Sequence, residues 1–199
     1  MNNISWFNQG VLHIEINSER PLAVPLLAVG EAPPASGVEA VLEALEAVYQ
    51  QGYESDASVE EELQGVVFGG RGDPLLAMEV LVPVVEAFRL HRHGVPVRVA
   101  TFALVDDIEA TTSQLAGAGV ETCLVFLPAT NPADYGQLPG VDAAAFGRVC
   151  QFIEAAVAAG MRVECFAHPE HQKDSRDLRE LATALGAVGF EIRPISAAE

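Results

Sequence analysis

The 199 residues include only three cysteines, Cys123, Cys150 and Cys165, spread widely along the chain. That number and scatter exclude a disulfide framework and point to a reducing cytoplasm. No uninterrupted apolar run reaches about 18 residues, so no membrane-spanning helix is expected. Met1 to Gly10 lacks a basic region leading into an apolar one, so no signal peptide is expected and these residues read as an N-terminal arm. Positive charge is scarce: 11 Lys and Arg stand against 28 Asp and Glu, a formal net charge of −17. A chain of that sign repels nucleic acid and anionic membrane, and neither is expected as a partner. From Glu31 to Glu62 there are nine acidic residues and no Lys or Arg, which reads as a solvated surface. A docking face for a basic partner is the other reading of that stretch. Three catalytic signatures are missing as well: the Gly-x-Ser-x-Gly elbow, the P-loop and a dinucleotide fingerprint after the first strand.

What remains is an aliphatic chain. Half the residues are apolar and only 7% aromatic, enough for a large core in one domain covering residues 1–199. Val11 to Ile16 alternates apolar and polar, the mark of a half-buried strand. Asn17 to Val29 carries Pro21 and Pro25, which forbid a regular interior strand or helix and make an ordered loop with apolar anchors. Glu31 to Ser36 reads as a turn, and Gly37 to Gln50 as a helix with Val38, Val41, Leu42, Leu45 and Val48 on one face. Val66 to Phe68 is a buried strand. Leu75 to His93 is a helix with Leu76, Val80, Val84 and Phe88 in register and a kink or break at Pro83. Strand and helix then alternate to the end: Val95 to Phe102, a helix capped by Asp106 or Asp107, Glu121 to Leu127, Asp142 to Ala159, Met161 to Ala167, Ser175 to Leu185 and Phe190 to Ile195. Six strands and five helices in alternation imply crossover connections and an α/β fold with a parallel sheet. A closed eight-unit barrel needs about 250 residues, so the sheet is either flat and doubly wound or curved into part of a (β/α) barrel.

The stretch Val66-Val-Phe-Gly-Gly-Arg-Gly-Asp-Pro-Leu-Leu76 organises the chain. A buried strand runs into three glycines, an acidic residue and a proline suited to a first helical turn. The amides and carbonyls around Gly69, Gly70 and Gly72 are expected to lie bare at a strand's carboxyl end, where α/β proteins keep their ligands. Asp73 at a helix start is also explained by the helix dipole alone.

Phe68-Gly-Gly-Arg-Gly-Asp-Pro-Leu-Leu76 and the βα alternation resemble the radical S-adenosylmethionine (SAM) superfamily, and most nearly its short TatD-associated members. Thr130-Asn-Pro-Ala-Asp-Tyr-Gly-Gln-Leu138, Phe146 to Gly160, Leu178 to Gly186 and Ile192-Arg-Pro194 are similar too, so the resemblance covers about Val11 to Pro194. It implies a parallel six-stranded open (β/α)6 partial TIM barrel. It also implies that Gly69, Gly70, Gly72, Asp73 and Pro74 form the turn that binds a cofactor, with Asp73 as acceptor for the SAM amino group. The family's Asn-x-Cys-x-x-x-Cys-x-x-Cys loop, whose thiolates bind a four-iron cluster, is replaced. Asn17 leads into Glu19, Ala23 and Leu26 at that spacing, and no iron–sulfur cluster is expected without thiolates. The family's Thr-Asn-Gly appears as Thr101-Phe102-Ala103, and its Ser-x-Asn as Phe126-Leu127-Pro128, which weakens SAM binding without excluding it.

Other groups are candidates on their chemistry. His168-Pro169-Glu170-His171, after the fifth strand, offers two imidazoles and a carboxylate for a divalent ion, although Pro169 is expected to prevent helical spacing and leave a polar exposed loop. His13 and Glu15 share one face of the first strand, with Arg98 or Glu164 as possible partners. His91-Arg92-His93 reads as a helix end, and Cys165 as a buried small apolar residue. The expectation is a radical SAM-like pseudoenzyme that binds a protein partner, a second copy or a small molecule, SAM included. The alternative is a metal-dependent or acid–base enzyme using His13, Glu15, Glu164, His168 and His171 at the mouth of the barrel.

Overall fold

A computed structural model describes residues 5–8, 10–29, 36–54 and 64–197. In chain order the strands are β1 (Ser5–Asn8), β2 (Val11–Ile14), β3 (Ala28–Val29), β4 (Gly65–Phe68), β5 (Val97–Thr101), β6 (Thr122–Phe126), β7 (Arg162–Ala167), β8 (Gly189–Ile192) and β9 (Ser196–Ala197). The helices are α1 (Val38–Glu54), α2 (Met78–His91), α3 (Ile108–Ala118), α4 (Pro132–Tyr135), α5 (Ala144–Ala158) and α6 (Ser175–Ala184). Two 3-10 segments, Pro74–Ala77 and Pro169–Asp174, follow β4 and β7.

Seven strands form one sheet in the order β1-β2-β4-β5-β6-β7-β8. The six from β2 to β8 run parallel. This α/β architecture, with a helix in each connection between successive parallel strands, is the six-unit arrangement expected from the alternation. β4 and β6 are buried at every position, as strands of a parallel sheet must be when both faces are covered. Leu81, Val84, Val85 and Phe88 of α2, Leu115 of α3, and Val149, Phe152 and Ile153 of α5 are buried in the same core.

Three expectations need correction. The segment read as an arm contains a strand: β1 pairs antiparallel with β2, so the sheet is not parallel throughout. Pro83 neither breaks nor ends α2, which runs unbroken from Met78 to His91. Pro83 lies one turn from the helix start, and its ring removes a single bond, the one to the carbonyl of Glu79. The buried register is Leu81, Val84, Val85 and Phe88, while Leu76 is 40% exposed. Pro74–Ala77 winds with three residues per turn, which rotates Leu76 off the apolar face.

Caps follow the local chemistry. The Asp107 carboxylate accepts from the Ala110 amide and starts α3, and Asp142 accepts from the Ala144 and Ala145 amides before α5. Glu39, Glu43 and Glu46 lie exposed along α1, as expected of a solvated face. Glu31, Asp56, Glu60, Glu61 and Glu62 and the turn at 31–35 lie outside the described residues. No helix among the described residues is long and apolar enough to cross a membrane.

Candidate functional site

The carboxyl ends of β4 to β7 converge on one mouth, and the glycine turn sits at its rim. Gly69 has φ +131°, and a Cβ there would stand 3.0 Å from both the Cβ and the carbonyl oxygen of Ala100. Only glycine fits that contact and that backbone. At Gly72 a Cβ would overlap the carbonyl oxygen of Asn17. These two glycines are therefore required by packing, the first against β5 and the second against the loop after β2.

That loop overturns one expectation. The amides and carbonyls of the turn do not lie bare. The Gly70 carbonyl accepts from the Leu27 and Ala28 amides at 2.7 and 3.2 Å, and the Asp73 amide donates to the Glu19 carbonyl at 2.7 Å. The Asn17 side-chain amide donates to the Asp73 carbonyl at 2.9 Å, and the Gly69 amide donates to the Ile14 carbonyl. Residues 17–27 are laid across the turn because their backbone, kept irregular by Pro21 and Pro25, has donors and acceptors to satisfy when buried.

The Asp73 carboxylate is buried, at 1% exposure, and fully engaged. Oδ1 accepts from the Leu75 amide, capping Pro74–Ala77. Oδ2 accepts from the Thr101 hydroxyl and the Phe102 amide, each at 2.9 Å, which ties the ends of β4 and β5 together. Burial pushes its pKa up to about 6 from 3.8, against the downward pull of these hydrogen bonds. Pro74 is buried at the start of the 3-10 segment and presents no polar group.

Glu15 and Arg71 form a buried ion pair at the rim. The Arg71 guanidinium donates to Glu15 Oε2 through Nε, at 2.7 Å, and through its terminal nitrogen, while the Arg71 amide donates to Oε1. Neither Arg98 nor Glu164 is the partner of Glu15, as the strand pattern alone had suggested. Glu164 instead faces Arg162 at 3.4 Å and Arg193 at 4.0 Å. His13 is shifted down to about 4 by burial and by the charge of Arg193.

The centre of the mouth is filled with rings. Phe102 and Phe126 meet edge to face at 5.6 Å, Phe126 and Phe166 lie 5.6 Å apart, and His168 lies 4.7 Å from Phe126. Phe102, Phe126 and Leu26 are each at most 1% exposed. His168 is not in an exposed loop, as its polar neighbours suggested. It is 1% exposed, and its Nε2 meets the Leu26 carbonyl at 3.1 Å. Pro169 opens a 3-10 segment rather than preventing one, because its fixed φ suits a first turn. Glu170 Oε1 lies 3.7 Å from His168 Nδ1 and 3.9 Å from His171 Nε2. Among the described residues no group of three His, Cys, Asp or Glu side chains converges to hold a metal ion. The alternative site is therefore not brought together: Glu15 is locked to Arg71, Glu164 faces arginines, and His168 is buried under the loop.

Two groups escaped the sequence reading. Tyr135 of α4 is fully buried, after Asn131, whose side chain caps α4. Thr101, given no role by the match of Thr101-Phe102-Ala103 to the family's Thr-Asn-Gly, is the hydroxyl that binds Asp73. Ala103 adopts φ +60°, a conformation that glycine takes without cost. Two hollows on the helical layer lie away from the mouth. One, of about 420 Å³, is lined by Leu42, Leu45, Glu46, Ala87, Phe88, His91 and Arg92. The other lies between α3 and α5.

No family model and no curated protein matches the chain by sequence. Solved structures match it in fold. SuiB of Streptococcus suis bound to S-adenosylmethionine aligns with a TM-score of 0.63 at 14% identity, over 96% of this chain and 40% of that one. Methylornithine synthase (PylB) aligns with a TM-score of 0.63 at 13% identity, over 93% of this chain and 53% of that one. OxsB, a cobalamin-dependent S-adenosylmethionine radical enzyme, aligns with a TM-score of 0.56 at 11% identity, over 92% of this chain and 27% of that one. This chain has the radical SAM fold. It spans about half or less of each of these proteins, and at such identities the likeness speaks for the fold alone. That fold accounts for the six parallel strands and the helices packed on them.

Proposed function

We propose that this chain is a radical SAM-type barrel without the iron–sulfur cluster, acting as a non-catalytic binding or interaction protein. The observation that carries this reading is the occupied mouth. Glu19, Ala23 and Leu26 stand at the cluster spacing, and Leu26 is buried beneath the loop it belongs to. A carboxylate, a methyl and an isobutyl group supply no thiolates for iron. Cys123, Cys150 and Cys165 lie on β6, α5 and β7, away from that loop. The residues present do not fit the cluster.

SAM has little access to the turn in this closed arrangement, in which Asp73 is 1% exposed. An amino group seeking Asp73 meets a buried carboxylate that already accepts from the Leu75 amide, the Thr101 hydroxyl and the Phe102 amide, with one acceptor position left on Oδ1. The turn carbonyl of Gly70 is held by Leu27 and Ala28. The reading carries with it a cytoplasmic setting, where three free thiols persist, and a protein partner or second copy of the chain as the interacting species.

Anaerobic reconstitution with iron and sulfide tests the first half. The protein stays colourless in this reading, and a brown species with about four irons per chain overturns it. Calorimetry with SAM tests the second half: no heat is expected, and stoichiometric binding lost in Asp73→Ala refutes it. Light scattering of the purified chain reports whether the second copy is the partner.

A further inference from the structure

The segment over the mouth is anchored at points that belong to different units of the barrel. Asn17 and Glu19 bond to Asp73 after β4, and Leu27 and Ala28 to Gly70. The Ala23 amide donates to the Pro139 carbonyl at 3.0 Å, in the connection after β6. The Leu26 carbonyl meets His168 after β7, and β3 pairs with β9 near the end of the described chain. Leu22 and Leu26 are 1% and 0% exposed, while Ser18, Glu19, Arg20 and Ala23 face outward. Residues 17–27 thus present apolar side chains down and polar ones up, over a floor made by Phe102, Phe126 and Phe166.

None of these attachments belongs to the seven-stranded ladder. The segment's hydrogen bonds run to loops at the strand ends, and among the described residues it joins no ladder itself, the two-residue pairing of β3 with β9 starting just beyond it. The floor holds itself together through its ring contacts and through the bonds of Asp73 to Thr101 and Phe102. A segment whose hydrogen bonds run to loops rather than into the sheet ladder is a unit that can open locally while the sheet persists.

We propose that residues 17–27 are an autoinhibitory strap: a part of the chain occupies the mouth, and the apolar floor becomes accessible to a small ligand only when this strap undocks while the sheet stays folded. The proposal deepens the reading above and rests on it, since it takes the mouth to be filled by the chain rather than by SAM. Two substitutions address the docking. In Gly72→Ala the new methyl overlaps the Asn17 carbonyl, pushing on one end of the strap. Leu26→Ala removes the buried anchor near its other end.

Hydrogen–deuterium exchange on the full chain, read by mass spectrometry, tests the strap. In both variants peptides covering 17–27 exchange about a hundredfold faster than in the unmodified protein, and peptides covering 97–101, 122–126 and 162–167 keep their rates. Nile red, a neutral apolar dye, then gains fluorescence with the variants and not with the unmodified chain. The proposal is overturned if the sheet peptides accelerate together with the strap, because strap and sheet are then one unit. It is equally overturned if 17–27 is unprotected in the unmodified protein, if neither variant changes its exchange, or if the opened variants leave the dye dark. Heat on adding SAM to the unmodified protein counts against the proposed function and leaves the exchange result standing on its own.

Discussion

Replacing Asp73 by Asn should change how stability depends on pH more than it changes stability at any one pH. The carboxyl rises from 3.8 unfolded to about 6 folded, roughly two decades, which at 1.36 kcal/mol per decade amounts to about 3 kcal/mol. The folded protein therefore binds this proton more tightly than the unfolded chain does. The stabilising contribution is complete below about pH 3.8 and is lost as pH rises through about 6. Asn does not titrate, so the variant lacks this loss. It carries instead a constant penalty of about 1–3 kcal/mol, because an amide accepts through its oxygen only, so its nitrogen must face either the Leu75 amide or the Thr101 hydroxyl and the Phe102 amide. Urea denaturation of both proteins at intervals from pH 4 to pH 7.5 separates the two effects. The variant starts as the weaker protein at pH 4 and closes the gap by several tenths of a kcal/mol or more per pH unit, up to a limit of about 1.4. A stability difference that stays flat across this window refutes the desolvated Asp73, and with it the closed mouth that buries it.

Other expectations follow from the same geometry. Glu15→Gln removes the Glu15 charge from the buried Arg71 guanidinium and costs about 3–5 kcal/mol in urea melts, whereas Glu15→Met with Arg71→Met recovers most of that loss. His13, held down to about 4 by burial and Arg193, favours the fold above pH 6.5 and loses that contribution as pH falls toward 4. A His13→Gln variant is therefore less acid-sensitive, and imidazole proton NMR titrations read the shifted midpoint directly. Burial pushes the thiols of Cys123 and Cys165 up to about 12, so Cys150 alone reacts with Ellman's reagent at pH 8 before unfolding. Rapid reaction of two or more thiols in the native protein contradicts this packing.

The alternation of strands and helices, the glycine turn and the Asp caps were all readable from sequence because each depends on neighbours within a few residues. Gly69 and Pro74 announce a strand end and a first helical turn whatever surrounds them. The antiparallel β1 was missed because a four-residue strand carries too little periodicity to stand out. Pro83 misled because the harm a proline does depends on how far it lies from the helix start. The apolar register of Leu76 failed with it, since the 3-10 segment changes the angle between successive side chains.

The absence of thiolates at positions 19, 23 and 26 was a property of the sequence by itself, and it argues against the cluster independently of shape. What fills the mouth was decided only in three dimensions. Arg71 pairs with Glu15, 56 residues away, and His168 meets Leu26 across 142 residues. Such partners are chosen by where the strand ends converge, because a buried charge or carbonyl must be satisfied by whichever complementary group the fold brings within reach.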